Sequence, residues 1–296
     1  MINKSILIAV LARDCNQSII RNIPKIERLR KEFKESHVVI IENDSKDGTK
    51  ETLKRWEKES IGVEAIMNDY GIVTIPEQSK DIKNPGTSMY RISKMARYRN
   101  MYMDYARNAD FNIDYLIVID IDINDFSVEG IVDSINNAPN NWGGLFANGT
   151  IDFYGLKPYY YDTYAYVDIN DKQIFNVSAS KLYKMSRSIN RILKKKEYIK
   201  CISAFSGIGI YKWEVIKDLK YSSEKNTNED SCFEAICEHI PFNKKITEQG
   251  YGNYICRDMK VKYNEGRDIK HFIIYSILPE NVFKLLYSIF KRKRFH

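Results

Sequence analysis

The sequence predicts an α/β fold with a mostly parallel sheet flanked by helices. Short apolar stretches alternate with helical patterns from residue 5 to residue 150, an order that is typical of parallel sheets. The stretch from Leu116 to Ile119 is apolar at every position, as expected of a strand buried on both faces. In such sheets ligands bind beyond the carboxyl ends of the strands, so polar residues at those ends are candidate site residues.

The predicted elements follow one another regularly through the first half. Strands are expected over residues 5–12, 37–43, 62–67, 115–120 and 143–149. Helices are expected over residues 22–33, after the turn at 44–49, over 88–107 and over 126–135. The stripe spacing of Ile23, Ile26 and Leu29 predicts the first helix, and Leu53 and Trp56 are expected to face inward from the second.

The pattern is less regular after residue 150. Residues 202–216 are predicted to form a strand that runs into a helix, and residues 228–240 to form a helix with Asn228 as its cap. The sequence contains no internal repeat and no low-complexity segment. We therefore expect the second half to extend the same sheet by a short antiparallel part, without forming an independent domain.

Composition narrows the class of protein. The chain has 296 residues, 44% of them hydrophobic and 29% charged, with a net charge of +7. These values are ordinary for a soluble globular protein, and the positive charge favours anionic partners. The cysteines number five, and their scattered spacing argues against a disulfide framework or a zinc site. This cysteine pattern makes a reduced, cytoplasmic compartment the expectation, and without an apolar run long enough to span a bilayer no transmembrane helix is expected.

The stretch YLIVIDIDIND places Asp120 and Asp122 at the end of a core strand. Residues i and i+2 of a strand point to the same face, so the two carboxylates are expected to be neighbours. Neighbouring carboxylates repel one another unless a cation lies between them, and Mn²⁺ or Mg²⁺ is the cation that oxygen ligands suit. The alternative is an acidic turn whose carboxylates are solvated.

A second acidic stretch, IENDSKDGT, follows the predicted second strand. A loop that joins a strand to a helix without any ligand accounts for Asp47, Gly48 and Thr49, since such residues make turns and helix caps. It does not account for Glu42 and Asp44 so close to the strand end.

At these residues the chain resembles GT-A glycosyltransferases. VIIENDSKDGTKETL resembles the start of family-2 members, and VIDIDI takes the place of their D-x-D metal motif. MARYRN, at residues 95–100, resembles their ARN element. Three later stretches resemble the capsule-associated mannosyltransferase group of fungi and its bacterial relatives: YYDTYAYVD at 160–168, SGIGIYK at 206–212 and CEHIPF at 237–242.

The resemblance implies that a sugar moves from a nucleoside-diphosphate sugar, UDP- or GDP-linked, to an acceptor hydroxyl, with Mn²⁺ or Mg²⁺ as the cofactor. It implies a GT-A domain over residues 1–270, with residues 1–125 binding the nucleotide sugar and residues 126–270 forming the acceptor side. Synthesis of a cell-surface glycan or capsule is the expected role. Nucleic acid is not an expected partner.

The resemblance also implies roles for individual residues. Ala12, Arg13, Glu42 and Asp44 would contact the nucleoside, and Arg97 or Arg99 the diphosphate. Asp120 would hold the ribose or a metal-bound water, Asp122 the metal, and His239 would be a third metal ligand. Which carboxylate of the ENDS loop meets the base stays open, and the alternative for His239 is a partly buried structural histidine.

An inverting transferase needs a base that deprotonates the acceptor hydroxyl, and a retaining one does not, so the stereochemistry stays open. The candidate bases are Glu229, Asp230 and Glu238, with Asp230 first. Their alternative is an acidic helix start that the helix dipole favours. Asp162 and Tyr161 are predicted to bind the acceptor, although core aromatic residues would account for the tyrosines equally well.

The C-terminal residues 271–296 combine apolar side chains with the basic run KRKR. Such a segment is typical of an interfacial helix on an anionic leaflet, which would make the protein peripheral to the inner face of a membrane and its acceptor a lipid-linked glycan. The alternative is a helix that docks on the domain and ends in a solvated tail.

Three other functions compete with this prediction. A nucleotidyltransferase would carry a glycine-rich loop after the first strand, and LARDCNQS has no glycine. A nucleic-acid-binding protein fits the charge and the tyrosines, yet the basic residues do not share one helix face and no recognition motif is present. A non-catalytic glycosyltransferase relative is opposed by the intact Asp120, Asp122 and His239.

Overall fold

The computed structural model describes residues 1–79, 84–153, 156–171, 188–227 and 233–263. Its strands are β1 Ile2–Ala12, β2 Phe33–Asn43, β3 Val63–Asn68, β4 Tyr115–Asp120, β5 Asp125–Phe126, β6 Trp142–Phe153, β7 Leu156–Tyr160, β8 Tyr198–Cys201, β9 Ile208–Lys212 and β10 Gly252–Tyr263. Its helices are α1 Asn16–Arg30, α2 Thr49–Glu59, α3 Met89–Arg107, α4 Val128–Asn136, α5 Trp213–Ile216 and α6 His239–Glu248, and a 3₁₀ turn covers Pro85–Thr87.

The strands belong to one 10-stranded sheet with the order β3-β2-β1-β4-β9-β6-β10-β5, in which β7 pairs with β6 and β8 with β10. The first four strands of this order are parallel to one another. Strand β9 runs antiparallel to both β4 and β6, and β5, β7 and β8 are also antiparallel to their partners. The first part of the chain thus supplies the parallel half of the sheet. The later part supplies an extension with antiparallel strands, as predicted.

Both faces of the sheet are buried. Along β1, Leu7 and Ala9 pack into one core, which includes Tyr102 of α3. Ile6 and Ile8 belong to the core on the opposite face, together with residues of α1, α2 and α4. Because successive side chains of a strand point to opposite faces, an uninterrupted apolar strand is what a sheet with two cores requires.

Two helix boundaries differ from the prediction. Helix α1 begins at Asn16, and Phe33, expected at its end, instead opens β2 beside Ile2. The buried Ile19 lies on the same apolar stripe as the residues used for the prediction. Polar residues around it made this first part of the stripe hard to recognise in the sequence.

The helix expected over 228–240 begins only at His239. Within 233–238 the backbone makes other hydrogen bonds, from Ala235 N to Thr87 O at 3.0 Å and from Ile236 N to Glu224 O at 3.0 Å. These long-range bonds replace the helical ones. Residues 228–232, including the expected cap Asn228, lie outside the described residues. Within the described part of the chain, no helix is both long and apolar enough to cross a membrane.

Candidate active site

The strand register brings Ala12, Glu42 and Asp120 to one edge of the sheet. Ala12 is paired with Glu42 across β1 and β2, and Leu11 is paired with Asp120 across β1 and β4. The carboxyl ends of these parallel strands therefore lie side by side. This is the edge at which ligands of such sheets bind.

The loops after β1 and β2 are held together by short polar contacts. Asp47 accepts hydrogen bonds from Asn16 N at 3.0 Å and from the Thr49 hydroxyl at 2.6 Å. Asp14, which has a left-handed φ of 46°, donates its backbone N–H to Ser45 Oγ at 2.9 Å. Asp47, the aspartate of the DGT motif, thus connects the starts of α1 and α2 and has a structural role.

Glu42 is buried, with an exposed fraction of 0%. Its Oε1 atom accepts the backbone N–H of Ser45 at 2.8 Å. Its Oε2 atom has no hydrogen-bond partner among the described residues, and the nearest cation, Lys50 Nζ, is 3.9 Å away. A buried carboxylate oxygen without a donor is costly, so this atom is suited to accept an N–H group from a ligand.

Asp44 and Arg13 hold a neighbouring loop over the same edge. Asp44, with φ 55°, accepts the backbone N–H of Gly71 at 2.7 Å. Arg13 Nη1 donates to Ile72 O at 2.9 Å and to Thr74 Oγ1 at 2.8 Å. Burial acts to raise the pKa of the Asp44 carboxyl, but hydrogen bonds from Asn43 and the loop backbone outweigh it and lower that pKa.

The second group of site residues surrounds a buried arginine. Arg99 Nε donates to Glu238 Oε1 at 2.9 Å, and Arg99 Nη2 lies 3.8 Å from Asp120 Oδ1. The guanidinium carbon is 5.2 Å from the centre of the Phe205 ring and 5.7 Å from that of Tyr221. We call Arg99, Asp120, Glu238 and Asp162 the Arg99 cluster, because the arginine is the cation that acts on all three carboxylates.

Charges in the cluster shift one another's protonation. Burial raises the pKa of Asp120 to about 8, with Arg99 opposing the shift and the charges of Asp122, Asp162 and Glu238 adding to it. The pKa of Arg99 rises well above its ordinary value, because the neighbouring Tyr102, Glu238 and Asp120 outweigh the effect of burial. Without a further cation, the cluster carries more acid than the single arginine compensates.

Arg97, the other predicted diphosphate ligand, is placed differently. It lies on the exposed side of α3, and its guanidinium carbon is 5.0 Å from the centre of the Tyr70 ring. Arg99 forms an ion pair with Glu238 and faces Asp120, whereas the side chain of Arg97 is accessible to a ligand.

Asp122 lies in a turn and not on the strand, because β4 ends at Asp120. Ile123 N donates to Asp120 O at 3.4 Å to close this turn, and the buried Asn22 amide donates to Ile121 O and Ile123 O, each at 2.8 Å. The expectation from strand periodicity therefore does not apply to Asp122. The charge of Asp122 is among those that raise the pKa of Asp120.

Asp162 has a left-handed φ of 66°. It accepts the backbone N–H of Ser206 at 3.0 Å and that of Ala165 at 3.4 Å. Burial raises the pKa of the Asp162 carboxyl to about 6, although both hydrogen bonds act to lower it. Ser206, itself at φ 56°, is buried and donates its hydroxyl to Tyr161 O or to Tyr160 Oη, at 3.0 and 2.7 Å.

His239 is the first residue of α6 and is buried against Phe205, with ring centres 3.9 Å apart. Neither ring nitrogen has a hydrogen-bond partner among the described residues, and Nε2 lies 4.0 Å from Glu238 Oε1. Burial and Arg99 lower the pKa of His239 well below its ordinary value. The ring is therefore a neutral imidazole, the form that binds metals.

These side chains provide only part of a metal-binding site. Within the described ranges, no three His, Cys, Asp or Glu side chains are placed so as to share one ion. Two features nevertheless fit a hard divalent cation: the charge of Asp122 acts on the Asp120 carboxylate, and the neutral imidazole of His239 has no hydrogen-bond partner among the described residues.

The predicted residues thus fall into two groups. Ala12, Arg13, Glu42 and Asp44 lie at the ends of β1 and β2, and Asp120, Glu238 and Asp162 lie around Arg99. Glu229 and Asp230 lie outside the described residues, as does the segment 271–296. Sequence reasoning did not single out Phe205 or Tyr221, which pack on Arg99 and His239. No motif marks them, since they look like core aromatics.

The chain matches a protein-family model described as Cryptococcal mannosyltransferase 1 over residues 5–243. No curated protein matches it. The match confirms the predicted resemblance to the capsule-associated mannosyltransferase group and, at the level of the family, the predicted class of glycosyltransferases.

Several solved structures are similar in fold. The mannosyltransferase PcManGT from Pyrobaculum calidifontis, in complex with GDP-Man and Mn²⁺, has a TM-score of 0.50 and 12% identity, over 92% of this chain and 61% of that one. TarS 1-349 of S. aureus with UDP-GlcNAc has a TM-score of 0.47 and 12% identity, over 90% and 60%. GalNAc-T7 with UDP, GalNAc and Mn²⁺ has a TM-score of 0.49 and 14% identity, over 92% and 47%. The chain thus spans less than two thirds of each of these proteins. The likeness to PcManGT confirms the GT-A fold.

Proposed function

We propose that this chain, which belongs to the mannosyltransferase family that it matches over residues 5–243, transfers a sugar from a nucleoside-diphosphate sugar to an acceptor hydroxyl. One structural observation carries the proposal. The buried Glu42 Oε2 atom, without a hydrogen-bond partner among the described residues, lies at the carboxyl edge of the parallel strands, beside the end of β1 and one strand from Asp120.

The donor that we propose first is GDP-mannose. The family is described as one of mannosyltransferases, and the PcManGT structure contains GDP-Man. Guanine and uracil both present a ring N–H that a carboxylate can accept, and Glu42 is the buried acceptor at this edge. The exposed Arg97 is the cation that we assign to the diphosphate, since Arg99 is held by Glu238 and Asp120.

A divalent cation completes the charge balance. Asp122 and Asp120 would hold Mn²⁺ or Mg²⁺, with His239 as the third ligand. When bound, the ion would stabilise the negative charge that grows on the departing diphosphate. The protein's own part is to keep the carboxylates in place, which Arg99 does by facing both Asp120 and Glu238.

The acceptor would lie beside Tyr161 and Asp162. The Asp162 carboxylate is held by two backbone N–H groups, which leaves it lone pairs to accept an acceptor hydroxyl. Glu238 is engaged by Arg99, so Asp230 stays the first choice of base for an inverting reaction. A cell-surface glycan, lipid-linked and reached from the inner face of a membrane through residues 271–296, is the acceptor class that we retain from the sequence.

Calorimetric titration of GDP and UDP, each with and without Mn²⁺, tests this proposal. We expect one nucleotide to bind tightly only with Mn²⁺, and Asp122→Asn to abolish the metal-dependent part. The exposed Asp133→Asn, on α4, is the matched control and should bind as the wild type does. If neither nucleotide binds the wild type, or if Asp122→Asn keeps full Mn²⁺-dependent binding, the proposal is wrong.

A further inference from the structure

Tyr263, the last residue of β10, reaches the candidate metal ligand from a distant part of the chain. Its phenolic oxygen donates a hydrogen bond to Asp122 Oδ1 at 3.0 Å. Its ring stacks on that of Tyr161, with ring centres 4.0 Å apart and planes inclined by 21°. Tyr263 thus contacts both the predicted metal ligand and a predicted acceptor residue.

The backbone fixes Tyr263 in this position. Lys262 is paired with Asp125 across β10 and β5, and Asn124 N donates to Lys262 O at 3.0 Å. The end of β10 therefore runs alongside the turn that carries Asp122. On the other side, the Tyr263 ring lies close to Gly207, where an added Cβ would come within 3.4 Å of it.

Tyr263 is the side-chain partner that the structure gives the Asp122 carboxylate. Asp122 is exposed and lies in a turn, so its backbone alone leaves the carboxylate free to rotate. Among the described residues, no other side chain donates a hydrogen bond to it. Hydrogen bonds to a metal-ligating carboxylate orient it, and losing such a partner typically costs about 10–100-fold in metal affinity.

We propose that Tyr263 is a positioning residue for the metal site: its hydroxyl orients the Asp122 carboxylate, while its ring is held by Tyr161. The inference rests on the proposed function. It adds a residue that no motif marks, and it links the metal site to the acceptor side of the sheet. A ligand that displaces Tyr161 would thereby also change the orientation of Asp122.

Tyr263→Phe tests the inference, because it removes the hydroxyl and keeps a ring that can stack. Tyr198→Phe is the matched control, since the Tyr198 hydroxyl donates to Ser134 O at 3.1 Å, away from the site. Calorimetry measures Mn²⁺ binding to each protein in the presence of GDP, or of UDP if that is the nucleotide bound. Transfer from the donor sugar is then followed as a function of Mn²⁺ concentration.

We expect Tyr263→Phe to raise the Kd for Mn²⁺ about 10–100-fold and to leave kcat at saturating Mn²⁺ close to that of the wild type. Tyr198→Phe should bind Mn²⁺ as the wild type does.

Three results would overturn the inference. The Kd for Mn²⁺ could be unchanged in Tyr263→Phe, or kcat alone could fall, or Tyr198→Phe could weaken binding as much. A wild type that binds nucleotide without any response to Mn²⁺ would overturn it together with the metal part of the proposed function. A wild type with normal Mn²⁺-dependent binding, beside an unaffected Tyr263→Phe, would overturn the inference alone.

Discussion

The two halves of the candidate site are held in place by different means. At the ends of β1 and β2, Glu42 and Asp44 are fixed by backbone N–H groups of nearby residues, such as Ser45 N at 2.8 Å from Glu42. In the Arg99 cluster, the carboxylates come from three separate segments of the chain, and one guanidinium holds Glu238 at 2.9 Å across 139 positions.

The two halves differ in how much stability the protein loses when one of their contacts is removed. In the loops after β1 and β2 the Asp47 carboxylate is exposed, so losing one of its hydrogen bonds leaves groups that water can reach, and the cost is modest. Removing the cation from the Arg99 cluster leaves the buried Glu238 carboxylate without compensation, which costs much more. We therefore expect the Arg99 cluster to be the more fragile half and the loops near Glu42 to be the more tolerant.

The largest expected effect is that of Arg99→Met. The variant keeps a long apolar side chain between Phe205 and Tyr221 but leaves the Glu238 carboxylate without its ion-pair partner. We expect a loss of about 3–5 kcal/mol in the free energy of unfolding, measured by chemical denaturation at neutral pH. Arg97→Met, at the exposed position two residues earlier, should change that free energy by no more than about 0.5 kcal/mol. Equal losses in the two variants would contradict the comparison.

A smaller effect concerns pH and Asp162. Burial raises its pKa from 3.8 to about 6, so between about pH 4 and pH 6 the folded chain holds a proton that the unfolded chain has released. Stability from this group is therefore largest at low pH and falls as pH rises through that window, by at most about 1.4 kcal/mol per pH unit. Above pH 6 its contribution is constant.

Asp162→Asn should remove this part of the pH dependence, measured as the difference between wild-type and variant unfolding free energies from pH 4 to pH 7. The control Asp133→Asn, at an exposed carboxyl, should give a curve parallel to the wild type across the window. A difference curve for Asp162→Asn that is flat, or that has the opposite slope, would show that this carboxyl is not raised.

The smallest effect is expected in the loops near Glu42. Asp47→Ala removes the acceptor for Asn16 N and for Thr49, which resembles the loss of a helix cap and should cost about 1 kcal/mol. Asp47→Asn keeps one acceptor oxygen and should restore part of that loss in thermal unfolding. A loss as large as that of Arg99→Met would show that the loops are no more tolerant than the Arg99 cluster.

The sequence by itself determined the parallel half of the sheet and the residues at its carboxyl edge. Apolar strands such as Leu116–Ile119 have few other stable environments, and a site formed by the ends of adjacent parallel strands follows from their order. Glu42 and Asp120 could be predicted because each lies directly at the end of such a strand.

The tertiary structure alone decided how the acidic residues are used. Whether Glu238 is free or bound to Arg99, whether Asp122 lies on a strand or in a turn, and whether Tyr263 reaches Asp122 all depend on contacts between segments far apart in the chain. Local propensity carries no information about such contacts, because they form only when the antiparallel strands close against the parallel ones. The fold could therefore be predicted from the apolar strands, whereas the chemistry of the site depends on how those strands pack.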